Sequence, residues 1–181
     1  ISKVKVEPVG FPTREPMLAE GKVDSVTGFS FSSYLNLVRL GVPEEDISTI
    51  LMADHGLKLY GNAVIVNTDY AKNNPDMVKK FLVAVGAGWR DAIKDPKAAA
   101  AALVKRNPAA DAALEQRRLQ LAIDANVLTD YVKSNGMGGI DSSRFAAAIQ
   151  QLSETYEYKA APNAALYFTD EYLPASGISV N

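Results

Sequence analysis

Cysteine is missing from all 181 residues. That absence excludes a disulfide scaffold, a thiolate metal site and a cysteine nucleophile together. Neither sign of charge dominates, since 19 Lys and Arg stand against 21 Asp and Glu, for a net charge of −2. Nothing electrostatic therefore points to nucleic acid or to an anionic membrane. No run of roughly 18 apolar residues could span a bilayer, and the opening stretch ISKVKVEPVG lacks the apolar core of a secretory signal. Zinc, phosphate-loop and nucleophile-elbow motifs are all absent. What is present is ordinary for a globular chain: 48% apolar and 22% charged residues, enough to bury a core without a staple.

Read along the chain, the first third has an α/β pattern. Lys3 to Glu7 alternate with the period of a half-buried strand, Pro8 to Pro12 read as a loop, and Glu15 to Glu20 as a short helix ended by Gly21. Val23 to Thr27 then read as a second strand, which predicts a small β-α-β unit. Ser32 or Ser33 would cap a helix over Tyr34 to Leu40, stopped at Gly41 and Pro43. TILMA at 49 to 53 and Ala63 to Val66 are further candidate strands.

The remainder is helical. Asn74 with Pro75, and Asp95 with Pro96, are cap-plus-proline starts. Val78, Phe81, Leu82, Val85, Trp89 and Ala92 recur at helical spacing and predict one buried stripe. Further helices are expected from about Asp111 to Asp130 and from Ser142 to Tyr156, the last burying Phe145, Ala148, Ile149 and Leu152. The glycines of NGMGGID read as a helix-helix turn, because they lack the strand-turn-helix setting of a phosphate loop.

The stretch GFSFSS, residues 28 to 33, is the leading candidate site. A strand entering a helix leaves backbone N–H groups unpaired at the positive end of the macrodipole. Ser30, Ser32 and Ser33 would add hydroxyls, Phe29 and Phe31 apolar walls, and Gly28 close backbone approach. Serine is also simply a good cap, and a phenylalanine at a strand end is commonly core. Tyr60 and Asn62, two apart in a predicted strand, would share one face as a hydrogen-bonding wall. His55, the single histidine, adjoins Asp54, but neighbouring side chains in an extended segment point apart, which disfavours a proton relay.

Taken in order, GKVDSVTGF, LYGNAVIVNTDYAKNNPDMVKKFLVAVGAGWRDAIKDP, NGMGGIDSSRFAAAIQQL and FTDEYLP resemble the carboxyl-terminal part of the NMT1/THI5-like solute-binding proteins. The resemblance spans nearly the whole chain, and each motif alone is modest. These are relatives of the sulfonate, taurine and nitrate receptors of ABC importers and of the thiamine-pyrimidine precursor proteins.

The resemblance implies an α/β fold of the periplasmic-binding-protein type II kind. A partial β-α-β second lobe would occupy residues 1–60, a hinge and return strand 61–73, and a helical region returning to the first lobe 74–181. Most of the first lobe would lie outside this chain. Carried over by position, Gly28, Phe29, Ser30, Ser32 and Ser33 fall at a cleft-facing strand end, and Tyr60 and Asn62 near the hinge. The implied function is binding a small organic solute in the interlobe cleft and presenting it to an ABC permease in the membrane.

No cofactor, metal, nucleic acid or catalytic residue is expected. Localisation would be periplasmic or extracellular with a lipid anchor, and a dimer could cover the face left by the missing lobe. The alternatives are a THI5-like pyrimidine-forming enzyme using His55, or a ligand-sensing module. The fungal enzymes use a cysteine-rich motif that this chain lacks, which argues against the enzyme branch. No arginine lies in GFSFSS or near Tyr60 to clamp a carboxylate, which tilts the ligand towards a neutral or weakly anionic heterocycle.

Overall fold

The computed structural model describes residues 3–57, 59–160, 162–175 and 177–180. Ile1, Ser2 and Lys58, which fall within the region 1–60 expected as part of a second lobe, lie outside them. The chain divides into two compact units, residues 1–51 and 52–181.

The first unit is a helix pair. Helix α1 (Phe11–Ala19) begins four residues earlier than Glu15, because a proline fits the first turn of a helix, where its missing N–H is not needed. It ends as expected at Gly21, whose φ is +68°. Helix α2 (Ser30–Arg39) also starts early. Its N-cap is Phe29, in an extended conformation and without a capping side chain, so the serines lie inside the first turn. Leu35 and Leu37 of α2 are buried and, with Glu15 and Ser33, form the centre of the unit. A single 3₁₀ turn, Glu44–Asp46, follows.

The expected β-α-β arrangement is not found: among the described residues there is no strand. Segments 4–10, 25–29, 47–51 and 59–67 carry no regular structure. Val4, Val6 and Ile65 are 67%, 73% and 92% exposed, so the faces that period-two alternation marked as inward have nothing over them. A strand exists only as one side of a ladder, and alternation specifies its faces without supplying its partner.

The second unit is helical. After a 3₁₀ turn, Met52–His55, come α3 (Thr68–Asn73), α4 (Pro75–Lys94), α5 (Pro96–Arg106) and α6 (Ala112–Ala122). Asn67 caps α3, Asp95 caps α5 and Asp111 caps α6, each accepting from a first-turn N–H. Asn74 precedes α4 but does not cap it. Its amide instead donates to the Tyr70 carbonyl of α3, 3.1 Å away.

The single helix expected from Asp111 to Asp130 is interrupted. A π-helical turn, Ile123–Val127, follows α6 and buries Ile123, and Thr129 then caps α7 (Asp130–Asn135). Helix α8 (Ser142–Thr155), capped by Asp141, buries Ala148 and half-buries Phe145, Ile149 and Leu152.

Helices α3, α4, α5 and α6 pack in chain order. The stripe on α4 is covered in part: Val78 is buried, Leu82, Val85, Trp89 and Ala92 are half-buried, and Phe81 is 54% exposed. Gly86 on that face is buried because the chain's last turn lies against it. Ile178 is buried there, and the Arg90 guanidinium donates to the Ser179 carbonyl at 3.1 Å. A Cβ at Gly86 would stand 2.1 Å from Ile178 Cγ2, so only glycine admits this contact. The NGMGGID turn has a second use, since Met137 pairs with Ile178 in an isolated antiparallel bridge.

Candidate functional site

In the first unit, residues 28 to 33 form a lip at the amino end of α2. Phe29 is 51% exposed and its ring stacks on Phe31, with centroids 5.2 Å apart and planes 17° from parallel. The Phe29 carbonyl accepts the Ser32 and Ser33 N–H groups, closing the first turn. Ser30, Phe31 and Ser32 are half-buried and Gly28 is exposed.

Ser33 faces the other way. It is buried, and its hydroxyl donates to Glu15 Oε1 of α1 at 2.6 Å. Gly28 makes room for that bond: a Cβ there would fall 1.9 Å from Ser33 Oγ.

Sequence reasoning missed two residues beside this lip. Arg14 reaches across from α1, donating from Nη1 to the Thr27 carbonyl at 2.6 Å, with its guanidinium 4.6 Å above the Phe11 ring. The Arg14 Nε is buried with no hydrogen-bond partner among the described residues. Its Nη2 is 4.0 Å from Glu15. Glu15 itself is 4% exposed. Burial pushes its carboxyl up. The Ser33 hydroxyl, its own backbone N–H, the Arg14 charge and Asn36 outweigh that effect and hold it below the usual glutamate range. The signal was local but faint: an adjacent Arg-Glu pair within the short FPTREPM helix.

In the second unit, Tyr60 works with the start of α8. Its hydroxyl accepts the Asp141 N–H at 2.8 Å, and the Arg144 guanidinium lies 4.4 Å over its ring. Arg144 also donates to the Leu59 carbonyl at 2.9 Å, and Gln151 to the Gly56 carbonyl at 2.8 Å. These bonds strap the 56–60 loop along α8. The Ser143 hydroxyl first, then the Arg144 N–H, hold the Asp141 carboxyl below its ordinary range.

Ala53, Leu57, Ser143, Arg144 and Ala147 line an open cleft of about 390 Å³ beside the strap. Asn62 is exposed in the irregular segment that follows. His55 closes the exposed Met52–His55 turn. Among the described residues, no cluster of His, Asp or Glu could hold a metal ion, and no helix is long and apolar enough to cross a membrane.

Residues 28–33 of the first unit thus place aromatic and hydroxyl groups at a helix start that has no capping side chain. A family model described as NMT1/THI5 like matches residues 1–99, and the chain belongs to that family. The family contains both solute-binding proteins of ABC importers and THI5 synthases. Comparison with curated proteins and with solved structures gives no match.

Proposed function

We propose that this chain belongs to a solute-binding receptor that delivers a small organic molecule to an ABC permease, in the periplasm or at the outer face of the membrane. The lip from Gly28 to Ser33 is one wall of its pocket, with Phe29 and Phe31 as a flat apolar face and Ser30 and Ser32 as hydrogen-bonding groups. Gly28 and Ser33 set the wall's shape, and Tyr60 and Asn62 belong near the hinge. Binding acts by favouring the closed form, through the ligand's higher affinity for that form.

The observation that carries this reading is the stacked and half-exposed Phe29–Phe31 pair at a helix start with no capping side chain. An aromatic pair facing solvent costs hydration free energy unless something flat covers it. The ligand class follows from Arg14. Its guanidinium donates to the Thr27 carbonyl and faces Glu15, and its remaining Nε is buried, so it offers no exposed fork for a carboxylate, while Arg144 over Tyr60 already donates to the Leu59 carbonyl. A neutral or weakly anionic heterocycle suits such a wall better than a strong anion.

Titration calorimetry of the full-length protein against sulfonates, nitrate, aminopyrimidines and aromatic acids tests the proposal. One compound should give saturable heat, and Phe29→Ala should weaken it roughly three- to tenfold, the worth of one aromatic stack. Absence of heat and of any thermal shift across the panel would overturn it.

A further inference from the structure

A carboxylate that is 4% exposed is costly to keep ionised unless neighbouring groups replace its water. For Glu15 the replacement comes largely from the other helix. Ser33 of α2 donates at 2.6 Å, Asn36 of α2 adds a second hydrogen bond, and Arg14 of its own helix adds charge. The segment joining α1 to α2 has no regular structure beyond turns. What sets one helix against the other is therefore their own contact, together with the Arg14 bond to the Thr27 carbonyl of the joining segment. Leu35 and Leu37 supply its apolar part, which attracts without direction. The Glu15–Ser33 bond is directional, and Ser33 lies in the first turn of α2, hydrogen-bonded through its N–H to Phe29.

We infer that Glu15 is a positioning residue for the lip: by accepting the Ser33 hydroxyl it fixes the first turn of α2, and with it the Phe29–Phe31 face, and acid that protonates it loosens that setting. Gly28 belongs to the same device, because any Cβ there would occupy the place of the Ser33 hydroxyl. The functional meaning of this inference rests on reading the lip as a ligand wall.

The groups facing Glu15 are Arg14 on α1 and the neutral Ser33 and Asn36 on α2. Since the folded carboxyl lies below its ordinary value of about 4.3, the lock is fully present above that value and is lost as pH falls through the lowered one.

Hydrogen–deuterium exchange on the whole chain tests this, comparing the wild type with Glu15→Gln and Ser33→Ala. At pH 7 Ser33→Ala should lose about tenfold protection at residues 30–35, the worth of one hydrogen bond to a charged group, and Glu15→Gln, whose amide oxygen still accepts the hydroxyl but without the charge, about threefold. Protection in α4 should stay as it was. As pH falls from 6 through the ordinary glutamate range and below it, the wild type, corrected for intrinsic exchange, should lose protection down to the level of Glu15→Gln, while Glu15→Gln, uncharged throughout, should show no acid step. Unchanged protection at 30–35 in both variants, or an acid step that persists in Glu15→Gln, overturns the inference. Glu15→Gln is close to isosteric and carries the test if Ser33→Ala does not fold. No ligand enters this measurement, so its failure is distinct from failure of the calorimetric panel.

Discussion

The two units are held by different kinds of contact. In residues 1–51 the centre combines Leu35 and Leu37 with a buried carboxylate and its hydroxyl partner. In residues 52–181 the buried centre is apolar: Ala71, Val78, Ala100, Ile123, Ala148, Ile178 and Val180, with polar bonds arranged as caps and straps outside it. An ionised acid in a core makes stability depend on proton activity, whereas aliphatic packing does not. The smaller unit should therefore be the one with an acid-sensitive core, while in the larger acid acts at surface caps such as Asp141 and the core responds to changes of volume.

The largest test of that contrast is core truncation. Leu35→Ala should cost about 3 kcal/mol and Ile123→Ala a similar amount, each read by exchange protection within its own unit. If Leu35→Ala lowered protection around α5 and α6 as much as around α2, the division into two kinds of core would fail.

Next comes Gly86→Ala. Its added methyl meets Ile178 at 2.1 Å and should cost about 1–3 kcal/mol in urea unfolding, with faster exchange at residues 177–180. A variant as stable as wild type would mean the terminal turn has room to shift. Smaller again is Asp111→Ala, which removes the cap on Leu114 N–H and should cost about 1 kcal/mol by the same urea measurement. Tyr60→Phe should cost about 0.5–1.5 kcal/mol, since the Asp141 N–H loses its acceptor. A neutral Tyr60→Phe would place water, rather than the phenol, as the effective partner.

What could be read from the sequence follows the range of the forces. Asp95 and Asp111 declare their helices because a cap acts within one turn, and Pro96 sits where a proline costs nothing. Gly21 and Gly41 mark helix ends for the same reason. Strands were read where none forms, because Val4, Val6 and Val64 to Val66 have the right side chains while pairing depends on distant residues.

The serines at 32 and 33 misled in an instructive way. Both suit a cap, but Ser33 has a buried acid to serve, and α2 starts at Ser30 with Phe29 as its boundary. Arg14 was invisible from GFSFSS because thirteen positions separate it from the Thr27 carbonyl it binds. Only the packing of α1 on α2 brings them together. Likewise Phe81 was assigned to the stripe of α4 by spacing alone, yet periodicity says which residues share a face and not whether a neighbour covers it.

The notch at Gly86 has a kinetic side. Arg90 and Ser179, which meet beside it, are 89 positions apart, and closing a loop of that length costs on the order of 4 kcal/mol in chain entropy before any contact is gained. Two aliphatic side chains and a few backbone hydrogen bonds offset that cost, so the seating of Ile178 should come late in assembly and its release early in unfolding. A protease probing the native protein should therefore find this terminal clasp before it finds the helices behind it.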